Sequence, residues 1–332
     1  MIATTLPELE RIIANPISSE VDDFLYNIRS NGIFELKLSP LRFQSRAILE
    51  RAETPLSPAL KLLLTRIQNA GLFPSYFSYL GLEMLTPQMN ATTSSQLARQ
   101  TFRLVYDLLN YMLEIPDFWD HPERSQLEKR VHALQDKSRA YIFTKELILA
   151  TPEDVVKMSL IPESNVREEL IFLRILQCTD VIFFAATRLV DKAIEAMTYG
   201  DVLNVMAALH WVKCLEEMLI PLLRPLAVMK VTNWLAFRYL IDAPSAIQSL
   251  NFHNLNAQLE LLKRISQHPR VPKEQQRYLS LSTAISTECL QNLHHWYYAH
   301  LKIAIKYGQN GPSEKSAGVQ WLEAQTETAL KV

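Results

Sequence analysis

Apolar residues recur at intervals of three and four along most of the 332 residues, and strict apolar–polar alternation is rare. That periodicity predicts helices almost throughout, about ten or more of them, and hence an all-α fold. Breaks are expected at Thr54-Pro55, Phe73-Pro74, Thr86-Pro87, Ile115-Pro116, Thr151-Pro152, Ile161-Pro162, Ala243-Pro244 and Val271-Pro272. Each proline drives the residue before it out of the helical region. Thr151-Pro152-Glu153-Asp154 further predicts a helix start, with Thr151 as N-cap, Pro152 in the first helical position and acidic residues in the first turn.

The segment Glu168–Val190 has no clean polar face: Leu170, Ile171, Phe172, Leu173, Ile175, Leu176, Val181, Ile182, Phe183 and Phe184 go all round it. Such a helix is expected to run through the middle of its domain. Phe172, Leu176, Thr179 and Phe183 fall on one side, a stripe that serves either as core or as the wall of a pocket. Leu203–Met229 reads as a second long helix or a broken pair, interrupted by Pro221 and Pro225. The prolines at 152 and 162 suggest a division into an N-terminal helical part, residues 1–155, and a core part, residues 156–332.

Charge narrows the partners. A formal net charge of −1 leaves no large basic footprint for nucleic acid. No uninterrupted run of 18 apolar residues occurs, so no membrane span is expected. The opening residues Met1-Ile2-Ala3-Thr4-Thr5 lack the basic-then-apolar layout of a secretory signal. Cys178, Cys214 and Cys289 are far apart and odd in number, which fits buried thiols in a reducing cytoplasm rather than a disulfide framework or a zinc site. The composition allows a homo-oligomer without requiring one.

Candidate chemistry gathers near the end of the chain. Trp296-Tyr297-Tyr298-Ala299-His300-Leu301 precedes a loop, Gly308 to Gly318, that holds three of the seven glycines. His294 and His295 share the helix with His300 but lie about 120° and 140° round it, so the three do not converge on one metal. His210 and Cys214 are four apart, a spacing that suits a metal pair or ordinary packing. Arg238, among Trp234, Phe237 and Tyr239, is either an anion clamp or a surface residue whose stem lies on aromatic rings. No HExxH, P-loop, GxGxxG after a strand or GxSxG is present. The mixed charges from His121 to Lys137 read as a solvated helix.

The order of these segments resembles the tryptophan 2,3-dioxygenase superfamily, which includes the indoleamine branch. Glu169-Leu170-Ile171-Phe172-Leu173-Arg174-Ile175-Leu176-Gln177 is similar to that family's ELLFIxxHQ helix. Leu226-Ala227-Val228-Met229, Phe237-Arg238 and Ala243-Pro244-Ser245-Ala246-Ile247-Gln248-Ser249 resemble its LxxM…FR…PASGFQS stretch. Trp296 to His300 resembles WRFRH, and Gly318-Val319-Gln320-Trp321-Leu322 resembles GVxYL. Together they cover roughly residues 163–325. The chain departs from the pattern at Leu176, where the dioxygenase has histidine, and in Gly308-Gln309-Asn310-Gly311-Pro312, which is closer to the superfamily's pyrrolnitrin-biosynthesis member. Arg238 and His300 are only 62 residues apart, shorter than in the dioxygenases.

The resemblance implies a helical domain holding haem b, with His300 as the axial ligand of the iron. It implies Arg238 on a substrate carboxylate and Phe172 against the substrate's aromatic ring. Trp234, Ile241 and Gln309 would line the same pocket, and Leu176 would stand at the distal position without a proton to share. The implied activity is a haem-dependent oxygenase acting on an indole- or tryptophan-like substrate with O₂, in specialised biosynthesis. A haem-dependent tyrosine-type hydroxylase and a haem-dependent rearrangement are alternatives on the same scaffold. A non-enzymatic all-α interaction scaffold is the alternative without haem.

Overall fold

In a computed structural model, residues 76–114, 124–142, 151–160, 162, 164–238, 249–267 and 273–308 are described. Of these, 86% are helical and none is in a strand, which establishes the all-α fold. Eleven α-helices follow in chain order: α1 Tyr76–Tyr79, α2 Leu82–Leu85, α3 Ser94–Glu114, α4 Arg124–Ile142, α5 Glu153–Met158 and α6 Arg167–Thr198. Then come α7 Val202–Glu216, α8 Leu219–Leu226, α9 Val231–Arg238, α10 Leu250–Ser266 and α11 Lys273–Gly308. A 3₁₀ turn, Thr86–Gln88, takes up the expected break at Thr86-Pro87.

Helix α6 is the axis of the fold. Helices α3, α7, α8 and α10 all pack on it, and from Glu168 to Phe183 no side is left to water, whereas Asp191 and Glu195 near its end are exposed. That is the physical reason for its all-round apolar sequence. Helix α11 packs on α7, α8 and α10, and α4 lies across α3 and α8. One continuous core runs from Tyr79 to Tyr307 through these helices.

Surrounding α6 on every side forces its polar residues into the core, where each must be satisfied. Arg174 is fully buried; it donates to Ser159 Oγ at 2.9 Å, to Gln177 Oε1 at 2.6 Å and to the Val156 carbonyl at 2.5 Å. Its guanidinium also stands over the Tyr111 ring, 5.6 Å from the centroid. Gln177 donates in turn to the carbonyls of Leu80 and Ser159, both at 2.7 Å. The Glu169 carboxylate accepts from Tyr79 OH at 3.0 Å and from the Ser164 N–H at 2.7 Å. These bonds tie α1, the turn that follows it and α5 to the start of α6.

Three expectations shift. The segment 167–198 has an 18-residue window of mean hydropathy 1.7, long and apolar enough to cross a membrane by length and composition. Counting uninterrupted apolar residues misses it, because Arg174, Gln177 and Asp180 punctuate the run; 89% of that window is buried inside the fold. Thr151 does not cap a helix. Pro152 occupies the N-cap position with extended backbone (ψ 132°), so α5 starts one residue late, while the Thr151 N–H donates to Asp107 Oδ2 at 2.9 Å. Leu203–Met229 is a broken pair, but the break falls at 217–218, before either proline. Pro221 sits in the first turn of α8, where a missing N–H costs nothing, and Pro225 lies one residue before that helix ends.

Candidate functional site

Two aromatic clusters form a seam that bridges α6 and α11, one through Trp234 of α9 and one with Phe252 of α10. At one end, Phe172 of α6 meets Trp234 of α9 edge to face, with centroids 4.9 Å apart, and Phe237 at 5.6 Å. Trp234 continues to Tyr307 of α11 at 5.0 Å. The Tyr307 hydroxyl donates to the carbonyls of Leu226 and Met229, at 2.6 and 2.8 Å, and so fastens α11 to the end of α8. Asn233 donates to Glu168 and holds α9 against the start of α6.

At the other end, Phe183 of α6 meets Trp296 of α11 at 5.1 Å with planes 88° apart, and Phe252 of α10 completes the cluster. The order Phe172 to Phe183 along α6 is the reverse of Tyr307 to Trp296 along α11, so the two helices run antiparallel across the seam. Eleven residues separate the clusters on each helix, about 16 Å at the α-helical rise.

His300 lies between these levels. It is one turn beyond Trp296, and its imidazole stacks flat on that indole, centroids 5.2 Å apart and planes 5° apart. His300 is half-buried, with Nδ1 enclosed. Trp296 Nε1 is also enclosed and has no acceptor among the described residues.

The fold therefore brings Phe172 and Trp234 into direct contact. Leu176 lies one turn after Phe172 and is buried, and His300 belongs to the neighbouring cluster. The side chain of Arg238, Ile241 and Gln309 lie outside the described residues. The stripe Phe172, Leu176, Thr179 and Phe183 is buried throughout, and Thr179 Oγ1 spends its proton on the Ile175 carbonyl at 2.8 Å.

Asp180 escaped notice in the sequence, although an acid within an apolar run was the available signal. It accepts from Asn251 Nδ2 at 2.6 Å, and burial pushes its carboxyl up to about 6 against hydrogen bonds from Ser249 and Asn251 that pull it down. Ser249, the last residue of the PSAIQS-like stretch, also caps α10 by accepting the Phe252 N–H at 3.1 Å. That motif thus ends on a residue that starts α10 and reaches the middle of α6.

A donor set that could hold a bare metal ion is absent among the described residues: no three His, Cys, Asp or Glu side chains converge. His210 Nε2 and Cys214 Sγ are 3.6 Å apart without a third partner of that kind. All three cysteines are buried and free. Haem makes a different demand, since its porphyrin supplies four nitrogens and the protein needs to supply one axial ligand. His300 offers one imidazole of fixed ring plane, and a bound group carrying an acceptor would satisfy the enclosed Trp296 N–H. Compared with family models, curated proteins and solved structures, the chain matches none.

Proposed function

We propose that this protein is a haem-dependent oxygenase acting on an aromatic, indole- or tryptophan-like substrate, a divergent relative of the tryptophan 2,3-dioxygenase superfamily. The observation that carries the reading is the His300 imidazole lying flat on Trp296, at the position where the sequence resemblance expects an axial ligand.

His300 would hold the haem iron as neutral imidazole, and its enclosed Nδ1 would leave the other ring nitrogen as the ligand. When bound, haem supplies the activation of O₂, which no side chain can do. The chain's own residues bind and orient. Phe172 and Trp234, already edge to face, offer apolar ring surfaces that favour another aromatic ring in the same geometry. Arg238 would take a substrate carboxylate in two parallel hydrogen bonds, and Ile241 and Gln309 would complete that wall. Leu176 neither donates nor accepts a proton, so it excludes water and leaves the substrate N–H unbonded on that side.

The reading is tested by adding haemin to the purified full chain. A Soret band that is gained by the wild type and lost in His300→Ala supports it. No band in the wild type would overturn it.

A second reading, the all-α interaction scaffold without haem, draws on a different observation. Phe172 and Leu176 are only 4% and 3% exposed, and the Phe172 ring is closed upon by Trp234 and Phe237. On that reading the seam is core and the protein stays colourless in the same experiment.

A further inference from the structure

Helices α4 and α8 pack together and leave between them a groove of about 490 Å³. Four cations line it, Lys129, Arg130 and Lys137 from α4 and Arg224 from α8, and no carboxylate does. In a chain of net charge −1 this is a local accumulation, to which the basic helix α4 contributes three cations and the packing of α8 adds the fourth.

Part of it serves the fold. Arg130 donates to the carbonyl of Arg224 at the end of α8, and Lys137 donates to the carbonyl of Glu217, just beyond α7, at 2.8 Å. Both carbonyls lie at helix C-termini, whose partial negative charge favours a cation. Lys137 also meets the Glu217 carboxylate at 3.4 Å. Lys129 and Arg224 are different: among the described residues their side chains make no ion pair or hydrogen bond. The two acids of α4 that could neutralise them are turned away, Glu128 to Arg124 at 2.8 Å and Asp136 to Arg139 at 3.6 Å. The positive charge of the groove thus exceeds what helix capping uses.

Buried Leu134 and half-buried Pro221 give the groove an apolar floor. We propose that it binds a phosphorylated small organic molecule, with phosphate oxygens on Lys129, Arg130 and Arg224 and the organic part over Leu134 and Pro221. Guanidinium groups match two phosphate oxygens at once, and a doubly charged phosphate answers several cations where a carboxylate answers one. The volume lies in the range of small-molecule sites and exceeds what a bare phosphate fills.

Calorimetric titration of the full chain at low ionic strength tests this, with inorganic phosphate, pyrophosphate and ADP as probes. ADP binds best, roughly tenfold tighter than inorganic phosphate, and weakens as salt is raised. The double variant K129Q/R224Q, whose altered side chains are exposed, loses about tenfold or more in ADP affinity, and Glu217→Gln gains affinity. Absence of heat with all three probes, or unchanged affinity in K129Q/R224Q, overturns the proposal. Pyrophosphate binding as tightly as ADP overturns the role of the apolar floor. Binding confined to phosphatidylserine-containing vesicles would assign the groove to a membrane surface instead.

Discussion

The imidazole of His300 lies on the indole of Trp296 with the two planes 5° apart and the centroids separated by 5.2 Å. They are four residues apart on α11, one turn, so helix geometry alone brings them together. What sets their common plane is farther away. Trp296 is 1% exposed and held by Phe183 of α6 at 5.1 Å and Phe252 of α10 at 5.6 Å. The orientation of the His300 ring is therefore decided by three helices.

Trp296→Ala is expected to cost about 3–5 kcal/mol of stability, the range for deleting a large buried aromatic. Trp296→Phe keeps a flat surface beneath His300 and removes an indole N–H that has no acceptor among the described residues, so its cost is smaller. If haem binds at His300, the alanine variant also broadens or shifts the Soret band while phenylalanine preserves it. Chemical denaturation and absorbance spectra measure the two effects separately.

Phe172→Ala opens a cavity beside Trp234 and Phe237 and is expected to destabilise by about 3–5 kcal/mol. Phe172→Leu fills most of that space and loses the edge-to-face ring contact, worth about 0.5–1.5 kcal/mol beyond area. Under the oxygenase reading, Phe172→Leu weakens aromatic substrate more than it weakens haem retention. Equal losses of both would mark Phe172 as a packing residue only.

Arg174 is a structural cation in the middle of α6, far from the seam's aromatic rings in role. Arg174→Ala removes the donor to Ser159 Oγ and Gln177 Oε1 and leaves the Val156 carbonyl with the Ser159 hydroxyl alone, at a cost of about 3–5 kcal/mol. Lysine cannot span the same three acceptors with a planar fork, so Arg174→Lys recovers little. Urea midpoints of the two variants check this; a lysine variant as stable as wild type would show that the charge alone matters.

Glu216 of α7 is buried against α11, with Asn292 Nδ2 3.5 Å from its carboxylate and a hydrogen bond from Cys289. Burial pushes its carboxyl from the ordinary 4.5 up to about 8 and outweighs the two hydrogen bonds that lower it. The folded state therefore keeps a proton that the unfolded state loses. The stability this contributes is complete below about 4.5 and is lost as pH rises through about 8. Glu216→Gln stays neutral, so its Tm should decline less than that of wild type between those limits. Parallel pH profiles of Tm would refute the assignment.

Much of the architecture is legible because local patterns carry it. The apolar circumference of α6 announces a helix surrounded on every side, and the three isolated cysteines announce buried thiols. Boundaries are less legible. Thr151-Pro152 carries every sign of an N-cap, yet the Asp107 carboxylate takes the Thr151 N–H from 44 residues away. Arg174 is plain in the sequence as a charge within an apolar run, but its acceptors come from α5, from the turn after it and from α6 itself.

By itself, the sequence determines that the described residues are helical, that α6 is central, and that a Trp-x-x-x-His turn precedes a glycine-bearing stretch. Spacing along a helix and the need to bury apolar surface suffice for that. Only the tertiary structure decides that Phe172 and Trp234, 62 residues apart, share an aromatic cluster. It alone decides that Trp296 is clamped by α6 and α10, and that four cations of a nearly neutral chain face one groove. These relationships depend on how whole helices settle against α6, and a one-dimensional pattern of apolar positions does not encode which faces meet.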